Sequence, residues 1–269
     1  VTAGQSTAGK STAGKAIGRQ ARHWSARLLR PHYHHIIDEA ARLGAALGYP
    51  RISVLELGVA GGRGLLAMEA IAASVSQLRG IEIEVYGLDS GSGLPAPEDH
   101  RDLPYHWRPG FYRMEEQRLR SQLTEAQLLI GDLAETVPAF LSGPAAPLGA
   151  VSVDVDYYSS TRKGLALFAA PVERLLPRMF VYFDDIIGGP IELYGEYTGE
   201  LAAIGEFNAE HEQRKLHRVR YLDWRPVRRE WHGQIFGCHA FDHPDYGRFV
   251  STEDQHLPLN RLSRWLPRA

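Results

Sequence analysis

Four aspartates stand in two groups thirty residues apart: Asp154 and Asp156 in VSVDVD, and Asp184 with Asp185 in VYFDD. Each group closes an apolar run. If those runs are neighbouring strands, about 5 Å apart, their carboxylates converge at one sheet edge. Alternation along a strand would send Asp154 and Asp156 to the same face. Carboxylates gathered in this way repel unless a cation neutralises them. A hard divalent ion with oxygen ligands, Mg2+ for preference, suits that role, and one acid can remain as a base.

A second group of residues lies upstream, in LELGVAGGRG at 55–64. Gly58, Gly61, Gly62 and Gly64 let backbone approach a ligand closely. The dinucleotide fingerprint G-x-G-x-x-[GA] is met only from Gly62 to Ala67, four residues too late for a turn that starts at a strand end. Glu56 stands just ahead of the first glycine. A negative group there repels a pyrophosphate but suits the cationic amino-acid end of S-adenosylmethionine. Asp89, closing EIEVYGLD, is placed to hydrogen-bond ribose hydroxyls.

These residues need a scaffold that brings strand ends together. Residues 19–47 have helical spacing with a break near Pro31, and Gly48 followed by Pro50 stops the run. Beyond them the pattern predicts strands at 52–57, 82–89, 127–132, 149–156 and 178–185. Helices are predicted at 64–78, around 111–123, at about 160–176 and at 199–213. Two closing strands are expected at 217–224 and 233–241, paired antiparallel. Alternation of this kind implies an α/β fold: a doubly wound, seven-stranded, mostly parallel sheet with helices on both faces. Ligands of such sheets sit beyond the carboxyl ends of the strands.

The remaining features narrow the class. GQSTAGKS, residues 4–11, matches the phosphate-binding P-loop pattern letter for letter. It has no strand before it, however, and belongs to a TAGQ-STAGK-STAGK repeat, so residues 1–18 are expected to be a flexible tail. Residues 19–48 are read as a helical segment, 49–247 as the catalytic domain and 248–269 as a second tail. The 269 residues are 44% hydrophobic and 23% charged, with a net charge of −2, which gives no reason to expect nucleic acid or membrane as partners. The single cysteine, Cys238, excludes an internal disulfide framework and fits a reducing, cytoplasmic setting. No apolar run reaches the length of a spanning helix. The start lacks the apolar region of a secretory signal, and a first residue of Val is consistent with a trimmed N-terminus. A homo-oligomer stays open.

LELGVAGG, YGLDSGSGLP (86–95), IGDLAETVPAFL (130–141), VDVDYYSSTRKGL (153–165) and FDDI (183–186) together resemble class I S-adenosylmethionine-dependent methyltransferases of the macrocin O-methyltransferase type. The matches keep the family's order over roughly residues 50–190. The resemblance implies methyl transfer to a hydroxyl of a small molecule, in this family a sugar of a secondary metabolite. It implies that Glu56, Gly58 and Gly62 line the methionine side of the cofactor, Asp89 and Ser90 hold the ribose, and Asp132 the adenine. Asp154, Asp184 and Asp185 match the metal ligands and Asp156 the general base. Catechol-type relatives carry a lysine three residues after the first metal aspartate. Here Tyr157 holds that place, which turns the base assignment to Asp156. The acceptor region is expected in 91–115, 187–200 and the N-terminal helices.

Several other readings fit parts of the pattern. V-D-V-D also matches the D-x-D motif of metal-dependent glycosyltransferases, which leaves Glu56 and the early glycines without a purpose. A non-catalytic module that kept the cofactor fold would need no metal. Asp-Asp before Gly188-Gly189-Pro190 fits ordinary turn chemistry. His32, His34, His35 and Glu39 offer ligand types but no completing cluster, so a solvated or lid-facing helix is expected there. YHWRPGFY (105–112) suits a cofactor cover, an acceptor wall or plain packing. Glu196 and Glu200 fall near the acidic edge with no direction assigned.

Overall fold

A computed structural model describes residues 30–251 of the chain. The P-loop match, residues 19–29 of the helical segment and residues 252–269 of the C-terminal tail lie outside the described residues. Helix α1 (Pro31–Ala46) begins with proline in its first turn, where the missing N–H has no intrahelical partner to lose. It buries Tyr33, Ile36, Ile37, Ala40 and Leu43 at helical spacing.

The strands follow as β1 (Arg51–Leu57), β2 (Glu82–Asp89), β3 (Gln127–Ile130), β4 (Leu148–Val153), β5 (Leu175–Phe183), β6 (Arg214–Arg218) and β7 (Ile235–Ala240). Between them lie α2 (Arg63–Arg79), α3 (Glu116–Arg120), α4 (Leu133–Ser142), α5 (Tyr158–Leu165) and α6 (Gly199–Glu210). The sheet order is β3-β2-β1-β4-β5-β7-β6, parallel except for β7, which runs against both β5 and β6. β1 and β4 are apolar and buried almost throughout, as strands covered on both faces must be. Helix α1 packs on α2, β4 and β5, while α5 packs on α4 and α6.

The fold class is the expected one, and the boundaries move. β4 stops at Val153, three residues early, because Asp156 takes a left-handed conformation (φ 59°) that no strand continues. Strand alternation therefore does not explain how Asp154 and Asp156 reach one site. The helix expected around 111–123 shrinks to Glu116–Arg120, since Gly110 and Tyr112 both have positive φ. The next helix ends at Leu165 and passes into single 3-10 turns on either side of Pro171. β6 is shifted to Arg214–Arg218, and most of its expected span is the 3-10 turn Arg220–Trp224.

The order of strands reverses between β1 and β4, and this opens a crevice at their carboxyl ends. Just past those ends the ladder continues by one bond each: Gly58 N–H to the Leu88 carbonyl (3.0 Å), Asp154 N–H to Leu57 (2.9 Å) and Asp184 N–H to Val153 (2.9 Å). Gly58, Asp154 and Asp184 thus stand side by side. Gly58 has φ 80°, and a Cβ built on it would lie 1.7 Å from the Asp154 carbonyl oxygen. We predict that Gly58→Ala costs about 3 kcal/mol or more, since the left-handed strain alone is roughly 1–2 kcal/mol. Gly61→Ala, with open space around it, should stay within about 0.5 kcal/mol. Thermal unfolding of the two variants checks this. Equal midpoints would contradict it.

Candidate active site

The strand ends deliver the acids to one point. Carboxylate oxygens of Asp154, Asp184 and Asp185 lie within 4.8 Å of one another, the one such three-ligand grouping among the described residues. Asp156 joins them through its loop: its N–H donates to Asp185 Oδ2 at 3.0 Å. Asp185 Oδ1 accepts from the Tyr194 hydroxyl at 3.2 Å, and the Asp185 N–H donates to Glu200 Oε2 at 3.2 Å. The Tyr182 hydroxyl donates to Asp184 Oδ1. Glu200, in the first turn of α6, is fully buried, and its Oε1 has no partner among the described residues.

Burial, reinforced by mutual repulsion, resists ionisation of Asp154, Asp156, Asp185 and Glu200. It raises Asp156 to about 8, with Asp185 and Asp184 adding to the effect. Asp185 rises to about 7 by burial and then by Asp184, while the Tyr194 and Asp156 hydrogen bonds offset part of this. Asp154 and Glu200 are pushed well above the carboxylate range, burial first and the neighbouring acids after it. No lysine or arginine among the described residues forms an ion pair with any of these five acids. The repulsion is relieved either by bound protons or by a cation from outside the protein.

The cluster floors a cavity of about 620 Å³, within the size range of small-molecule sites. Gly58, Asp89, Ser90, Asp132, Asp154, Asp156, Asp184 and Asp185 all line it. Of the cofactor residues expected from sequence, Glu56 and Gly62 do not. Glu56 lies beneath the floor, 2% exposed, where its Oε1 accepts from Tyr33 Oη at 2.6 Å and its Oε2 has no partner among the described residues. Gly64 is packed against that carboxylate so closely that a Cβ would sit 1.8 Å from Oε1. Gly62 faces Leu119.

The other acids already carry structural bonds. Asp89 Oδ2 accepts from the N–H groups of Val59 (2.8 Å) and Ala60 (2.9 Å), and Oδ1 from Gly91 (2.6 Å). It therefore clamps the glycine loop to the end of β2, and only its remaining lone pairs can meet a ribose. Asp132 caps α4 through the Ala134 N–H (2.7 Å), and its other oxygen accepts from Lys163 Nζ (3.1 Å), a cavity-lining cation that the sequence did not reveal. The cap and Lys163 hold its carboxyl below the usual range. Ser90 Oγ donates to the Gly93 carbonyl.

Trp107 and Tyr112 form an aromatic wall, with ring centroids 6.0 Å apart. The wall comes from the YHWRPGFY stretch. Tyr112, 53% exposed, is raised by partial burial and then by Asp156, Asp185, Asp154 and Asp184. Among the described residues the α1 histidines form no three-ligand grouping. His32 stacks on Tyr182 at 4.2 Å, burial lowers it to about 3, and His35 packs against Trp231 and accepts or donates to Tyr221 Oη at 3.1 Å. Glu196 is exposed. A larger groove of about 1150 Å³ lies along α2 and β2. Its Glu69 and Glu84 already bind backbone N–H groups and Arg51, and nothing converges there.

No family model and no curated protein matches this sequence. Among solved structures the chain is similar to the O-methyltransferase NovP, with TM-score 0.52 and 18% identity over 77% of this chain and 79% of that one. It is also similar to the calicheamicin methyltransferase CalS11, with TM-score 0.53 and 19% identity over 76% of each chain. At these identities the likeness establishes the fold, a Rossmann-like methyltransferase fold. Among the described residues no helix is long and apolar enough to cross a membrane.

Glu56 generates a stability prediction. Burial holds its carboxyl up to about 8, and the Tyr33 hydrogen bond offsets part of the effect. The folded state then keeps a proton that the unfolded chain loses near pH 4.3. Folded protein binds more protons across that window, so stability falls as pH rises from about 4.3 to about 8 and levels off above. In EDTA, the thermal midpoint of Glu56→Gln should fall less over this window than that of wild type. Identical slopes would contradict the assignment.

Proposed function

We propose that the chain is an S-adenosylmethionine- and divalent-metal-dependent O-methyltransferase acting on a hydroxyl of a small molecule, of the sugar or secondary-metabolite kind. One observation carries this reading: Asp154, Asp184 and Asp185 converge without an organic counter-ion, beside Asp156, on the floor of a cavity at the β1/β4 crevice. Likeness in fold to NovP and CalS11 supports the methyltransferase part. The cytoplasm is the proposed setting, supported by a lone, buried, free cysteine, Cys238.

The residues present fit both groups. Asp154, Asp184 and Asp185 form an all-oxygen donor set for a hard ion such as Mg2+. The glycine turn at Gly58, clamped by Asp89, and the walls at Ser90 and Asp132 offer the other side of the cavity to S-adenosylmethionine. When bound, the cofactor supplies an electrophilic methyl group, and the cation lowers the pKa of a hydroxyl held beside it.

Asp156 is the proposed base. The residue is 6% exposed and its peptide is fixed on Asp185, so its left-handed backbone cannot relax without breaking that bond. Burial brings its pKa into the range where a carboxylate can take a hydroxyl proton at neutral pH. Tyr182 and Tyr194 turn Asp184 and Asp185 toward the cavity by binding one oxygen of each. Trp107 and Tyr112 line the cavity and give an acceptor ring a face to lie on. A glycosyltransferase built on the D-x-D of 154–156 finds less support, since the tightest grouping joins Asp154 to Asp184 and Asp185 instead.

Calorimetric titration separates the readings. S-adenosylhomocysteine should bind with or without Mg2+, and UDP-sugars should not bind. The reverse pattern would overturn the proposal. Once an acceptor is found by screening, Asp156→Asn should keep S-adenosylhomocysteine binding and lower kcat by about 10²–10⁴. An unchanged kcat would remove Asp156 from the mechanism.

A further inference from the structure

Glu200 is the one acid of the cluster that neither lines the cavity nor belongs to the three-ligand grouping. It is nonetheless 0% exposed, with Asp185, Asp154 and Asp184 as its charged neighbours. One of its oxygens has a use: Oε2 accepts the Asp185 N–H at 3.2 Å. The other, Oε1, is buried and has no partner among the described residues. A buried carboxylate oxygen without a donor is costly enough to need an explanation. Packing gives none, because an apolar side chain would fill the same volume without that cost. The first turn of α6 favours negative charge at this position.

We infer that Glu200 is an outer-sphere partner of the divalent cation, its Oε1 accepting a hydrogen bond from the cation's hydration water while its Oε2 positions Asp185. The inference rests on the metal reading given under Proposed function. Mg2+ retains several waters when carboxylates bind it, and such waters are the donors that a carboxylate behind the ligands can meet. Partners of this kind commonly tune metal affinity by about 10–100-fold. Glu200 is thus a positioning residue for the ion and touches no acceptor atom.

The test is calorimetric titration of Mg2+ into the full chain after EDTA treatment and dialysis, for wild type, Glu200→Gln and Asp185→Asn. Glu200→Gln keeps an acceptor for the Asp185 N–H but removes the charge. It should bind Mg2+ about tenfold more weakly and bind S-adenosylhomocysteine within twofold of wild type. Its thermal midpoint in EDTA should stay close to that of wild type, because burial already keeps the wild-type Glu200 from ionising. Should that variant fail to fold, Glu200→Asp, which keeps the charge on a shorter arm, must also weaken Mg2+ binding. Mg2+ affinity within twofold of wild type in the folded variant would overturn the role of Glu200 alone. If wild type binds no Mg2+, the metal reading falls and this inference falls with it. Loss of binding in Asp185→Asn with no change in Glu200→Gln separates the two.

Discussion

Carboxylates buried next to one another repel, and they also lose the water that would stabilise their charge. Asp154, Asp156, Asp184, Asp185 and Glu200 carry this cost together at one end of the sheet. The protein answers it with donors rather than cations: the peptides of Asp156 and Asp185 and the hydroxyls of Tyr182 and Tyr194. Those bonds fix where the oxygens point, but they leave the charge uncompensated. An oriented cluster of acids without a cationic partner suits the divalent ion proposed for it.

The rest of the fold makes the convergence unavoidable. Parallel pairing of β1 with β4, and of β4 with β5, sets their carboxyl ends level. Each chain then turns away from the sheet only after one more ladder bond, so Gly58, Asp154 and Asp184 meet at a fixed spacing. Gly58 is required because the Asp154 carbonyl occupies the place of its side chain. Helix α1 supports the floor from below, with Tyr33 on Glu56 and His32 stacked on Tyr182, which in turn holds Asp184. The aromatic wall at Trp107 and Tyr112 closes the cavity from the long β2–β3 connection.

Much of this was legible in the sequence, because apolar strand runs and the acids that end them are local features. The seven strands, most of their alternation with helices and the meeting of Asp154 with Asp184 and Asp185 follow from those runs, but helix α4 (Leu133–Ser142), which contains Pro138, is not among the expected helices. Alternation misled at Asp156, where a left-handed residue ends the strand early, and at 217–224, where β-rich composition folds as a 3-10 turn. Glu56 showed its acidic character but not its depth, which depends on Tyr33, 23 residues away. Lys163 reaches the site from another helix, and only tertiary packing exposes it. The sequence places Glu200 near the acidic edge, and packing supplies its direction. Tyr182 was accessible: it lies two residues before Asp184, and period-two alternation puts both on one face.

The most direct test of the account is a crystal soaked in Mn2+ and measured for anomalous scattering. A bound ion should appear among Asp154, Asp184 and Asp185, with carboxylate oxygens about 2.0–2.3 Å from it, as hard-cation geometry requires. Asp156 should remain free of the ion and face the cavity. Absence of a peak at saturating Mn2+, with the four aspartates still hydrogen-bonded as they are now, would contradict the central claim.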